Sequence, residues 1–167
     1  GWEVGDTLAD LSLTDQFGQA ISLHQFFGYV ILLDFSAGWC MPCRRTAETA
    51  QAMWTAHRDH GFLIIHLLTE GNQAGSVADE ALVTDWMTRY GISFPIVRQA
   101  DNAAYTAFQT SDAYSGALPF LVLLDRDMRI NSTFGANQEA DIEARIEALT
   151  ADDVPPRANA GGPGPGA

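Results

Sequence analysis

The sequence predicts an α/β protein in which helices flank a mixed β-sheet, and three observations carry that prediction. Two nearly continuous apolar runs, YVILLDFSA at 29–37 and GFLIIHLL at 61–68, have the composition of strands buried on both faces. Between them, residues 41–60 carry helix formers and stop at Gly61, so strand, helix and strand form a parallel crossover unit. Further on, LPFLVLLDRDMRINSTF at 118–134 reads as a buried strand, an acidic turn and a partner strand. A hairpin beside a parallel unit makes the sheet mixed.

The remaining elements follow in order. Residues 1–10 read as an extended lead-in, and LSLTDQFGQAISL at 11–23 places two short alternating runs around a turn at Gly18, a β-hairpin. On the first helix, Cys43, Ala47, Ala50, Trp54 and His57 fall at offsets 0, 4, 7, 11 and 14, which is one helical face. The polar stretch at 69–76 is a loop, and a helix over 77–90 ends at Gly91. ISFPIV is short and extended, DNAAYTAFQT is a short helix, and NQEADIEARIEAL closes the domain as an amphipathic helix. One domain is therefore expected over 1–150. The stretch 151–167 holds four of the seven prolines and reads as a linker or disordered end.

Composition removes several function classes. Twenty-one acidic residues oppose nine arginines and no lysine, a net charge of −12 that repels nucleic acid and anionic lipid. No apolar run approaches the roughly 20 residues of a membrane helix. No charged segment precedes an apolar one at the start, so any export signal is expected to have been removed or never present.

The chain has two cysteines, Cys40 and Cys43, with two residues between them. Zinc would need a second ligand pair, and only His24, His57, His60 and His66 could supply it. His57 and His60 lie about four helical turns from Cys43, roughly 20 Å away, and His66 falls in a strand. A static disulfide here closes a very small loop and gains little chain entropy. A redox pair fits better, because a C-x-x-C between a buried strand and a helix reads as thioredoxin-like. At the helix N-terminus, unpaired N–H groups and the helix dipole would stabilise a Cys40 thiolate. Pro42 suits the first turn. Cys43 starts the buried face, so Cys40 is the expected attacking thiol and Cys43 the resolving one.

The segment ILLDFSAGWCMPCRR resembles the active-site region of thioredoxins. The wider pattern resembles exported bacterial thiol–disulfide oxidoreductases of the TlpA/ResA type, within the AhpC/TSA redoxins. The likeness covers the hairpin after VGD, a helix ending YGISFP and the closing LPFLVLLDRDMRI, from Val4 to Leu149. It implies a thioredoxin fold with an N-terminal hairpin extension and an inserted helix. It also implies that Pro119 is cis and places the Leu118 backbone beside Cys40, where a substrate peptide could bond to it. The alternative is an ordinary trans proline opening a strand.

Asp34, in an otherwise apolar strand, matches the aspartate that accepts the resolving cysteine's proton in thioredoxins. A buried carboxylate costs several kcal/mol unless paired or protonated, so a raised pKa is expected. The alternative is a satisfied structural carboxylate. Trp39 is expected to shield the dithiol, the alternative being a core aromatic. Trp39, Met41, Pro42, Leu118 and Pro119 form the expected substrate-binding set. One position departs from the pattern: many TlpA/ResA proteins carry a glutamate three residues after the second cysteine, and Thr46 stands there. Arg44 and Arg45 read as a solvated face with Glu48, and His66 as a satisfied core histidine.

The resulting reading is reduction of protein disulfides through Cys40 and Cys43. No cofactor or metal is expected. The implied partners are disulfide-containing clients and an upstream thiol donor, and the implied state is a monomer outside the cytoplasm. Pro42, which reducing members of the fold carry, favours the reductase direction. Two alternatives remain. A peroxiredoxin would carry threonine where Ala37 stands, and thioredoxin-fold copper chaperones have three residues between their cysteines.

Overall fold

A computed structural model describes residues 1–152; the Pro/Gly-rich stretch beyond Asp152 lies outside the described residues. The elements are β1 (Ser12–Thr14), β2 (Ala20–Ser22), β3 (Val30–Ala37), α1 (Met41–His57), β4 (Phe62–Glu70), α2 (Glu80–Tyr90), β5 (Ile96–Val97), α3 (Ala103–Phe108), β6 (Phe120–Leu124), β7 (Ile130–Phe134) and α4 (Glu139–Thr150). The main sheet has the order β5-β4-β3-β6-β7. Strands β3, β4 and β5 are parallel, while β6 runs antiparallel to β3 and β7 to β6. The crossover unit and the hairpin are thus both present, and β3 between them is buried at every residue. That is why its sequence runs apolar without alternation.

Successive side chains of β3 point to opposite faces. Asp34 faces the layer of α1 and α4, sharing a small cavity with Ala50 and Ile142. Phe35 faces the other side, against Tyr105 and Phe108 of α3. On α1, Cys43, Ala47, Ala50 and Trp54 are buried as their spacing requires. His57, last on that stripe, is only half-buried and lies 3.6 Å from Glu143 of α4. A 3₁₀ turn then ends at Gly61, whose φ of 74° favours glycine.

Helix α2 starts at Glu80 rather than 77, because the Asp79 side chain accepts a 2.8 Å hydrogen bond from Leu82 N and caps it there. The lead-in is bonded along the edge of the sheet. Gly5 N donates to Ile130 O, Ile130 N to Asp6 O and Leu8 N to Met128 O, so residues 5–8 cover the end of β7. The β1–β2 hairpin docks on the opposite side, where Thr14 and Arg98 exchange backbone hydrogen bonds. The Gln16 side chain also donates to Phe94 O and accepts from Ile96 N.

Arg126, in the β6–β7 turn, joins that turn to the starts of β3 and β4. Its guanidinium donates to Gly28 O at 2.9 Å and His60 O at 3.0 Å, and pairs with Asp152 at 2.9 Å. Arg126→Ala strips donors from the part-buried Gly28 and Gly61 carbonyls and is expected to lower stability by about 2–3 kcal/mol. Urea unfolding of the oxidised protein measures this. A loss below about 0.5 kcal/mol, the range of ordinary surface substitutions, would mean that solvent replaces the arginine.

Candidate active site

Strand β3 ends at Ala37, and the next two residues cross to the end of β4. Gly38 N donates to Glu70 O at 3.1 Å and Trp39 N to Gly71 O at 3.0 Å. A Cβ at Gly38 would lie 2.9 Å from the Gly71 backbone, so the close approach needs glycine. Cys40 is the N-cap of α1, and its Sγ accepts from Cys43 N at 3.2 Å. Cys40 and Cys43 form a disulfide, with Cα atoms 5.2 Å apart.

The Leu118–Pro119 peptide is cis, which removes the trans alternative. Leu118 O lies 3.6 Å from Cys40 Sγ. Trp39, Cys40, Pro42, Tyr105, Tyr114 and Leu118 line a groove of about 610 Å³. Cys40 is 2% exposed at this wall, and Cys43 behind it has no exposure. Of the sequence-predicted set, Met41 is exposed outside the groove, Pro119 is buried next to Leu118, and Asp34 lines the separate small cavity on the α1 and α4 side of β3.

Trp39 is 41% exposed and therefore not a core aromatic. Its indole Nε1 donates to Glu70 Oε2 at 2.8 Å, and Glu70 Oε1 accepts from Gly75 N at 2.6 Å. Glu70, the last residue of β4, thus orients the tryptophan. Opposite, the hydroxyls of Tyr105 and Tyr114 are 2.7 Å apart and tie α3 to the segment leading into Pro119. Neither pairing has a local sequence signal.

Arg44 overturns the reading of a solvated face. Its guanidinium group donates to Gly38 O at 2.8 Å, Tyr90 Oη at 2.9 Å and Asn72 Oδ1 at 3.0 Å, and stacks 5.1 Å over the Trp86 ring. Helix α2 supplies the tyrosine and tryptophan, and packing α2 beside α1 converts a surface position into an anchor.

Asp34 is buried on β3. Its Oδ1 accepts from Ser36 Oγ at 2.6 Å, whereas Oδ2 has no hydrogen-bond partner. Burial pushes its pKa up to about 7, with the Ser36 hydrogen bond acting the other way. His66 is paired with Asp34 in the β3–β4 register, and its Nε2 lies 3.4 Å from Asp34 Oδ2. Burial lowers the His66 pKa to about 3, so the ring is neutral at pH 7. His66 is the hydrogen-bonded core histidine expected, and its other ring nitrogen faces the orphan carboxylate oxygen. Aligning the starts of the two apolar strands, Val30 with Phe62, would have placed the two residues side by side. Thr46, at the variant position, turns its hydroxyl to Pro42 O at 3.1 Å. Thr46 and Glu139 line the cavity at Asp34.

A family model described as the AhpC/TSA family matches residues 4–150. The chain belongs to that family. It is 22% identical over 151 residues to the thiol-disulfide oxidoreductase ResA of Bacillus thuringiensis, across 89% of this chain and 79% of that protein. Among solved structures, the thioredoxin domain of a thiol-disulfide oxidoreductase from Bacteroides vulgatus matches with TM-score 0.71 at 19% identity. That match spans 88% of this chain and 97% of the other. Peroxidoxin BcpB of Mycobacterium tuberculosis matches with TM-score 0.70 at 17% identity, over 89% and 99% of the two chains. Two such matches with different printed activities establish the fold. It is the thioredoxin fold, with the hairpin extension and inserted helix that the resemblance implied.

Proposed function

We propose that this AhpC/TSA protein is a thiol–disulfide oxidoreductase that reduces protein disulfides through the Cys40–Cys43 couple. One observation carries the reading: the two sulfurs are bonded at the N-terminus of α1, with Cys40 on a groove closed by Leu118 and cis-Pro119. In the reduced protein, the helix N-terminus and Cys43 N–H stabilise a Cys40 thiolate. That thiolate attacks a client disulfide, forming a mixed disulfide and expelling one client thiolate. Cys43 gives its proton to Asp34 and attacks Cys40 Sγ. The Cys40–Cys43 bond forms, the second client thiolate leaves, and the client gains two electrons. An upstream dithiol then reduces the pair.

Trp39, Pro42 and Leu118 contact the client in the groove, Met41 at its outer edge, and Pro119 holds Leu118 in place. The peroxidase alternative is weaker: Ala37 is buried and offers no hydroxyl where a peroxidatic cysteine is supported by threonine. Among the described residues, no cluster of His, Cys, Asp or Glu could hold a metal ion, and no helix is long and apolar enough to cross a membrane. The protein acts as a monomer outside the cytoplasm, a placement resting on the resemblance to exported oxidoreductases.

The reductase direction is tested by equilibrating the couple in thiol buffers with alkylation trapping. The expected potential lies near the value of about −270 mV for thioredoxin. A value near about −120 mV would make the protein a disulfide donor instead.

A further inference from the structure

Behind the dithiol, three side chains from three elements form a chain that ends on the orphan oxygen of Asp34. Trp86 of α2 donates its indole Nε1–H to His66 Nδ1 at 3.1 Å. An indole N–H can only donate, so Nδ1 carries no proton. The ring is buried and neutral, so its single proton resides on Nε2, the nitrogen facing Asp34 Oδ2 at 3.4 Å. Neither ring has room to turn. Trp86 is fully buried, with the Arg44 guanidinium over it and Tyr90 against it edge-to-face at 5.0 Å. Phe94 packs on the His66 ring at 4.8 Å.

We propose that Trp86 and His66 are positioning residues for the buried carboxylate. Trp86 locks His66 in the Nε2–H tautomer, and His66 thereby favours the ionised form of Asp34 that accepts the Cys43 proton. The inserted helix α2 thus acts on the chemistry without touching the sulfurs. The opposite tautomer would present a lone pair at Nε2, accept a proton-bearing Oδ2 and favour the acid form. The other titratable group lining the cavity at Asp34 is Glu139 at the start of α4, and Cys43 of α1 is the proton donor in the proposed exchange; both are unchanged in the variants below. This inference rests on the proposed role of Asp34 in disulfide exchange.

The test combines three readouts on the full chain. In the wild type, nitrogen-15 NMR of His66 is expected to show a protonated Nε2 and a bare Nδ1. In Trp86→Phe and in His66→Leu, the carbon-13 titration midpoint of the Asp34 carboxyl is expected to rise by about one pH unit, because the ionised form loses the N–H dipole that faces Oδ2 at 3.4 Å. The third readout is the second thiolate released when reduced protein meets dithiobis(nitrobenzoate), which reports attack by Cys43; its pH profile is expected to move upward with the carboxyl. A wild-type His66 protonated on Nδ1 overturns the proposal. So does an Asp34 midpoint that stays in place in whichever of the two variants folds. If the wild type releases no second thiolate, the oxidoreductase reading falls, while the tautomer and carboxyl titrations still decide the inference.

Discussion

Cys43→Ala protein is expected to stall as a stable mixed disulfide on Cys40, with turnover reduced by at least about a thousandfold, as when an enzyme loses a nucleophile outright. Cys40 lines the groove and Cys43 stands behind it, so an incoming disulfide meets Cys40 first. Without Cys43, no second thiol is positioned to displace the client. Cys40→Ala should give neither turnover nor adduct, because the remaining sulfur is fully buried. Intact-mass analysis after mixing reduced protein with a small disulfide distinguishes the two variants. An adduct that accumulates on Cys40→Ala and not on Cys43→Ala would reverse the assigned roles.

Asp34→Asn is expected to slow the release of the second thiolate by about a hundredfold or more, the usual contribution of a positioned base. Asparagine can still accept from Ser36, so the loss is of proton acceptance rather than of local structure. The same variant carries a stability signature. The folded pKa of Asp34 is raised from 3.8 to about 7, so its contribution to stability is fully present below pH 4 and is lost as pH rises towards 7. His66 works in the opposite sense. Its pKa is lowered from 6.5 to about 3, so its contribution is present above pH 6.5 and lost as pH falls towards 3.

The two slopes oppose each other in the wild type between pH 4 and 7. Asp34→Asn removes one slope. Its stability relative to wild type should climb across that window, reaching about 2–4 kcal/mol at pH 8, where each pKa unit corresponds to about 1.4 kcal/mol. Urea unfolding of oxidised protein at pH 4, 6 and 8 measures the difference. A constant offset across pH would show that Asp34 is ionised in the folded protein throughout.

The buried strands, the helix stops at Gly61 and Gly91, the closing hairpin and the Cys40–Cys43 pair were legible because each is written in neighbouring residues. Periodicity, a glycine after a helical run and a two-residue spacing need no knowledge of the rest of the chain. Asp34 stood out as a charge in an apolar run, and Pro119 through the resemblance. The misreadings have a common form. Arg44 read as solvated because its partners Asn72, Tyr90 and Trp86 lie on other elements. The start of α2 was placed early because one capping carboxylate, not the run of helix formers, decides it.

The sequence by itself determined the chemistry available: a dithiol at a helix start, a carboxylate in a buried strand and a proline before a second one. Only the tertiary structure decided what surrounds them. Leu118 reaches Cys40 across 78 residues, Glu70 reaches Trp39 across 31, and Trp86 reaches His66 across 20. Those meetings depend on strand register and on the seating of α2 against α1. Register and seating are fixed by burying the whole apolar surface at once, so no local stretch of the chain encodes them.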